Sequence, residues 1–222
     1  MSKNVLELPG LEHLISVCRS QSLRLRLEPP LDQALLPRGT LLGQAFDPIL
    51  TATLSKFNGG WFHDWRVFSA NHLEPLNEES RMNAEERLRQ VVFYAGFDGL
   101  AYYLATVPSL ADSNGIQPVM YLNMQEGVEM LPIASSVDKA FDLYARYLTA
   151  LLDRYGSLEA VDEAAEEGDL DFFFPRNLPH LVARDSKLVQ MLERKQFDSF
   201  TAWDRSSTDW IALVQREARR LT

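Results

Sequence analysis

Cysteine is nearly absent from this chain, which has one thiol, Cys18, among 222 residues. One thiol can neither close an internal disulfide nor supply a cysteine-rich zinc site, so both frameworks are excluded. The first residues lack the basic start and the apolar run of a signal peptide. No window reaches the roughly 18 consecutive apolar residues that a membrane-spanning helix needs. These absences predict a cytoplasmic protein that does not bind membranes.

The common motifs of catalysis and nucleotide binding are missing as well. The chain has no GxGxxG fingerprint, no phosphate loop ending in Gly-Lys-Ser/Thr, no HExxH pair and no GxSxG elbow. Its four histidines are scattered, and the His63-Asp64 dipeptide lacks the further ligands that a metal phosphohydrolase needs. Cys18 has no evident base to activate it. We therefore expect no enzyme activity, no metal and no cofactor.

Negative charge is in excess, because 31 Asp and Glu stand against 22 Lys and Arg and give a formal net charge of −9. This mean field repels nucleic acid and anionic membranes and attracts basic partners, although solubility alone would explain it. Hydrophobic residues make up 46% of the chain and include 12 Phe, 7 Tyr and 4 Trp. That composition predicts a folded protein with a packed aromatic core.

Two helices have clear start signals. Asp47 can cap a helix that begins with Pro48, a residue suited to the first helical position. Ser135 or Ser136 can cap a longer helix whose apolar residues recur at helical spacing until Gly156. Both helices are predicted to pack against a core.

Strands are predicted both before and between these helices. Near the start, Leu23, Leu25 and Leu27 alternate with Arg24 and Arg26, which is typical of a strand. Further strands are predicted within 61–68, 91–107 and 117–133, where apolar runs are broken by turn residues. The polar segment 71–82 is predicted to be a long loop. Because strands and helices do not alternate, the pattern predicts an α+β fold with a mostly antiparallel sheet flanked by helices.

The character of the chain changes after Gly156. A short acidic helix is predicted up to Gly168, followed by the triplet Phe172-Phe173-Phe174 and by helices near 187–196 and 208–221. We divide the chain into a first domain, 1–156, and a helical C-terminal extension, 157–222, that packs on it.

Four blocks of the central segment follow one another in a characteristic order. They are the helix 47–57 with its Asn-Gly-Gly end, the glycine-punctuated strands 92–104, the strand 118–122, and the segment 129–136 that leads into the helix with Phe141 and Leu148. In order and spacing these blocks resemble the SUKH superfamily over residues 47–152. The segments before Phe46 and after Gly156 have no counterpart in the family's pattern.

The resemblance implies a sheet packed by helices that serves as a protein-binding scaffold. Bacterial members of the superfamily are commonly immunity proteins that neutralise a cognate toxin, and fungal members regulate cell-wall synthesis through partner proteins. Our first hypothesis is a non-catalytic protein-binding module, an immunity protein whose partner is a basic toxin domain. The alternatives are a regulatory scaffold without a toxin, and a small-ligand-binding protein or enzyme that uses the 71–82 loop as a lid.

Aromatic and acidic side chains are the candidates for partner contact, since aromatic anchors with charged flanks are typical of interfaces. The candidates are Trp61, Asp64, Trp65, Asp98, Glu163, Glu166 and Glu167. Core packing explains the two tryptophans equally well. A solvated helix face is the simpler interpretation of the three glutamates.

Overall fold

The computed structural model describes residues 6–32, 36–37, 39–82, 85–97, 99–125 and 127–221. Within these ranges the helices are α1 Pro9–Ser20, α2 Pro48–Lys56, α3 Ala70–Met82, α4 Val137–Tyr155, α5 Leu158–Glu167, α6 Pro179–Val182, α7 Ser186–Glu193, α8 Asp198–Thr201 and α9 Arg205–Leu221. The strands are β1 Leu25–Leu27, β2 Thr40–Leu41, β3 Gln44–Ala45, β4 Gly60–Phe62, β5 Trp65–Val67, β6 Val92–Phe97, β7 Tyr102–Thr106, β8 Val119–Asn123 and β9 Glu129–Ala134. Two 3-10 helices span Glu86–Gln90 and Pro108–Leu110.

The strands form a seven-stranded antiparallel sheet in the order β1-β4-β5-β6-β7-β8-β9, while β2 and β3 pair separately. Helices flank this sheet, so the predicted α+β class is confirmed. The segment 61–68, predicted to hold a strand with its approach loop, contains most of a tight hairpin. Its two strands, β4 and β5, turn at His63, whose φ is +57°, and Asp64.

The predicted helix starts agree with the structure because the capping residues accept the first free N–H groups. Asp47 Oδ1 accepts from the backbone N–H of Ile49 at 2.8 Å and of Leu50 at 3.0 Å, and Pro48 opens α2. Ser136 caps α4 in the same way. That helix ends at Gly156, whose φ of +84° favours glycine.

One face of the sheet packs against α4, and we call it the α4 face. The buried ring of Trp65 on β5 lies 5.5 Å from the ring of Phe141 and 4.7 Å from that of Tyr144, centroid to centroid. Helix α1 packs along α4, and the Asp138 carboxylate of α4 accepts from the first N–H groups of α1. This aromatic contact places β5, and with it the centre of the sheet, against the helical layer.

The segment 71–82 is a helix, α3, so the prediction of a long loop is wrong. The Asn58 side chain accepts from the N–H of Ala70 at 2.9 Å and caps the helix from a turn twelve residues earlier. Buried Asn77 donates to the carbonyl of Phe93 and accepts from its N–H, which joins α3 to β6. These partners are distant in sequence, so a polar segment with Pro75 inside it looked like a loop. The alternative function that uses this segment as a lid assumed a loop, which the structure does not have, and that function stays a prediction.

The helices after Gly156 contact the sheet at its β9 side. Trp210 on α9 donates through Nε1 to the carbonyl of Pro132 on β9 at 3.1 Å. The ring of Phe174 is buried against Tyr144 and Tyr121. The division of the chain at residue 156 stays a prediction.

Among the helices of the described ranges, none combines the length and the apolar composition that crossing a membrane requires.

We expect Trp65→Ala to lower the free energy of unfolding by about 3–5 kcal/mol, because it empties a fully buried aromatic site. The matched control is Trp203→Ala, since Trp203 is 81% exposed and its loss should cost no more than about 0.5 kcal/mol. Urea unfolding of both variants, followed by circular dichroism, measures the difference. Equal losses for the two variants would contradict the packing of β5 against α4.

Candidate interaction surfaces

The face of the sheet opposite α4 is buried at one end and exposed at the other. One transverse row of paired residues runs across it: Arg26, Trp61, Arg66, Gly96, Tyr103, Leu122 and Met130. At the β8–β9 end of the row Leu122 and Met130 are buried, whereas Tyr103, Arg66 and Trp61 are half-buried and Arg26 is exposed. Protein packing therefore covers β8 and β9 on this face and leaves β1, β4 and β5 accessible.

Arginine side chains lie over the indole of Trp61. The guanidinium carbon of Arg24 is 3.9 Å from the Trp61 ring centroid and that of Arg66 is 5.3 Å away. Arg66 is also 5.9 Å from the ring of Phe68. Such cation–π contacts contribute about 0.5–1 kcal/mol each at exposed sites and hold long side chains in place. We call the group Arg24, Arg26, Trp61, Arg66, Phe68 and Tyr103 the arginine–aromatic surface.

Gly96 on β6 leaves room for two aromatic rings of this surface to lie directly above the strand. A Cβ placed on Gly96 would lie 3.0 Å from the Phe68 ring and 3.2 Å from the Tyr103 ring. Both contacts are tighter than ordinary van der Waals packing, so a larger residue would push the two rings apart. Gly96 thereby allows Phe68 and Tyr103 to flank the arginines on a continuous surface.

Two arginines of the arginine–aromatic surface, Arg26 and Arg66, make no ion pair with a described carboxylate. Glu28 is two residues after Arg26 on the same side of the extended chain segment, yet it makes no ion pair with Arg26. In a chain of net charge −9 this surface is a local exception, and it favours an anionic group on whatever binds there.

The structure places the candidates Trp61, Asp64 and Trp65 in different surroundings. Trp61 lies at the centre of the arginine–aromatic surface, whereas Trp65 is 0% exposed and packs under α4. The two residues are four positions apart in the sequence, and the hairpin register places their rings on opposite faces of the sheet. Asp64 lies at that turn and accepts a hydrogen bond from the hydroxyl of Tyr144 on the α4 side. Asp98 lies outside the described residues.

The three acidic candidates share one exposed helix. Glu163, Glu166 and Glu167 are all exposed on α5, which buries none of its residues. Within the described ranges none of the three makes an ion pair. Helix α5 contacts α4, so the acidic side chains belong to the layer on the other side of the sheet from the arginines. Trp61 and the glutamates therefore do not form one site.

The Phe172-Phe173-Phe174 triplet is divided between core and surface. Phe174 is buried, and the ring of Phe172 stacks on Tyr147 of α4 with centroids 5.8 Å apart. Phe173 is 50% exposed. Two of the three rings thus attach this segment to α4 and the sheet.

Cys18 and Asp47 are buried side chains. Burial raises the pKa of the Cys18 thiol to about 11, which keeps it protonated and unreactive near neutral pH. Asp47 is fully buried, and its Oδ2 accepts from the N–H of Gln117 at 2.7 Å in addition to the two N–H groups of α2. In the part of the chain that the structure describes, no cluster of three His, Cys, Asp or Glu has the geometry to hold a metal ion.

Sequence reasoning found Trp61 and missed the five residues around it. The alternation of Arg24 and Arg26 with leucines indicated a strand, which is confirmed as β1. That alternation already implied two outward arginines on one face. It gave no indication that β1 pairs with β4 and brings both arginines beside Trp61, because the pairing joins segments more than thirty residues apart.

No protein-family model matches this chain, and no curated protein matches it.

Asp47 should make stability depend on pH. Burial raises its pKa from 3.8 to about 6 despite three N–H donors, so between these values the folded chain keeps a proton that the unfolded chain has lost. The free energy of unfolding should therefore fall by about 2 kcal/mol as the pH rises from 4 to 7. Urea unfolding at several pH values measures this fall relative to Asp47→Asn, in which this titration is absent. A difference between the two proteins that does not change with pH would contradict it.

Proposed function

We propose that the chain is a protein-binding module that docks a partner on the arginine–aromatic surface. The observation that carries the proposal is the half-exposed indole of Trp61 with the guanidinium groups of Arg24 and Arg66 placed over it. Large aromatic and arginine side chains are left accessible here, although the same face of the sheet is packed over at β8 and β9.

The composition of this surface supports the proposal. Trp, Tyr and Arg are the residue types that dominate binding energy in protein interfaces, where a few central side chains carry most of it. Trp61, Arg66 and Tyr103 are adjacent in the transverse row, except for the side-chain-free Gly96 between the last two. Their neighbours also restrict their motion, so less side-chain entropy is lost when a partner binds.

The charge of the surface favours a partner with carboxylates or other anionic groups at its contact. Because Arg26 and Arg66 make no ion pair within the described ranges, binding would not have to break one first. Opposite charge across the interface raises the association rate and makes it depend on salt.

A basic partner is a second candidate, favoured by the exposed glutamates of α5. Toxin neutralisation, which the SUKH resemblance implies, belongs here, since an acidic surface suits the masking of a basic toxin. The two surfaces lie on opposite sides of the sheet, so variants of one leave the other intact and the two candidates can be tested separately.

Charge reversal on the arginine–aromatic surface should weaken partner binding. The chain is used as bait for proteins of its source cells, and each captured protein is purified and titrated against the variants. We expect Arg26→Glu/Arg66→Glu to weaken binding at least about tenfold, since lost central charge contacts cost more than about 1.4 kcal/mol. Biolayer interferometry gives the equilibrium and rate constants.

The matched control is Arg194→Glu/Arg205→Glu, which changes net charge by the same amount at two exposed arginines outside the surface. Thermal melting of both variants checks that they fold. If the control weakens binding as much as Arg26→Glu/Arg66→Glu, net charge rather than this surface determines binding and the proposal fails.

For a basic partner the glutamates of α5 should control the association rate. We expect Glu163→Lys/Glu166→Lys/Glu167→Lys to slow association about tenfold at low salt and to flatten its salt dependence, because these charges steer the encounter. Stopped-flow association at 20 and 300 mM NaCl measures both effects. An unchanged association rate would remove α5 from the interface.

A further inference from the structure

Strand β1 has one open edge. Strand β4 pairs with β1 on one side. Because β1 is the first strand in the order of the sheet, no strand within the described ranges pairs with its other side. The carbonyl of Arg24 accepts from the N–H of His63 at 2.7 Å, and the N–H of Glu28 donates to the carbonyl of Gly59 at 3.0 Å. Because hydrogen-bonding direction alternates along an antiparallel strand, Leu25 and Leu27 direct their N–H and C=O groups away from β4.

These outward groups have no other partner within the described ranges. Beyond the ladder with β4, no hydrogen bond reaches the backbone of Leu25 or Leu27. The Leu25 and Leu27 side chains pack against the core and hold the strand in register. The edge is thus fixed in place and presents a short row of donors and acceptors at the spacing of a β-ladder.

The open edge borders the arginine–aromatic surface. Arg24 and Arg26 lie on β1 or directly before it, and both side chains lie on the same face as Trp61. A strand added to this edge would run about 4.8 Å from β1, and every second side chain would lie beside Arg24 and Arg26. A carboxylate at the position beside Arg26 would meet a guanidinium group that makes no ion pair within the described ranges, a pairing favoured by both charge and geometry.

We propose that the partner segment is an acidic, extended peptide that adds to the sheet as a new strand along β1; this rests on the proposed function. Its backbone pairs with Leu25 and Leu27, and the acidic side chain between these two positions contacts Arg26. The paired stretch is short, because Pro29 and Pro30 follow β1 and proline has no N–H to donate. A stretch of about four peptide residues therefore fills the edge beside the three residues of β1.

A peptide fits this edge better than a single-stranded nucleic acid. Base stacking needs an open ring face, and the Arg24 guanidinium already lies 3.9 Å over the Trp61 ring. The outward N–H and C=O groups of β1 match the alternating groups of another peptide, which a nucleic acid backbone does not supply. The net charge of −9 also opposes a polyanion more strongly than a short acidic peptide.

The test uses a nine-residue peptide of alternating glutamate and valine as the probe, with the full chain labelled for NMR. We expect binding in 20 mM NaCl to slow amide hydrogen exchange at Leu25 and Leu27 at least about tenfold, since both N–H groups become hydrogen-bonded. The Arg26 amide, already directed at β4, serves as the internal control. A lysine–valine peptide and a glutamate–valine peptide with a central proline should not bind measurably.

Leu25→Pro separates backbone pairing from simple charge attraction. Proline at this position removes the outward N–H without breaking the ladder to β4, whereas Leu25→Ala shortens the side chain and keeps the N–H. We expect Leu25→Pro to weaken binding of the glutamate–valine peptide about tenfold relative to Leu25→Ala, as the loss of one hydrogen bond predicts. Fluorescence anisotropy of labelled peptide measures both, and thermal melting checks the fold of each variant.

Any of the following results would contradict strand addition. A peptide that shifts the Trp61 and Arg26 resonances without protecting Leu25 and Leu27, or that binds Leu25→Pro as well as Leu25→Ala, docks without strand pairing. A peptide that does not bind at all has the same consequence. In these cases the proposed function stands if a captured partner still depends on Arg26 and Arg66. Tighter binding of a nine-nucleotide oligothymidylate than of the peptide overturns both proposals.

Discussion

The packing of Trp65 under α4 determines which side of every strand is available to a partner. Side chains alternate across a strand, so once Trp65 points towards Phe141 and Tyr144, its neighbour Arg66 must point the other way. Because Arg66 pairs with Trp61 and Trp61 pairs with Arg26, the register of the strands places all three side chains on this same face. The arginine–aromatic surface and the aromatic core are therefore formed by opposite faces of the same strands. A one-residue shift in the register of β5 would exchange the two faces and disrupt both.

Buried polar side chains hold the peripheral elements in place around this core. Asp47 links α2 to the approach of β8 through Gln117, Asn58 caps α3, and Asn77 joins α3 to β6. Each makes specific hydrogen bonds that an apolar residue could not replace. For Asp47 the cost of burying a carboxylate exceeds the benefit of its three N–H donors, and its pKa is raised to about 6.

Charge is distributed unevenly between the two sides of the sheet. Arginines cluster on the open face at β1 and β5, while the exposed glutamates of α5 extend the helical layer beyond α4. A protein with such an asymmetric field orients a charged partner before contact, because opposite patches attract and like patches repel. The net charge of −9 averages over both regions and therefore describes neither.

Local chemistry in the sequence was enough to predict the α+β class, the helices capped by Asp47 and Ser136, and strand β1, whose exposed position is Arg26. Caps and alternation depend on residues within one turn or one strand, so they can be read without the fold. Helix α3 could not be predicted, since its capping residue Asn58 and its partner Phe93 are distant in the chain. The same reason explains why Trp61 and Trp65 looked alike in sequence. Only the register of β4 with β1 and β5, and the position of α4, placed one tryptophan among arginines and the other in the core.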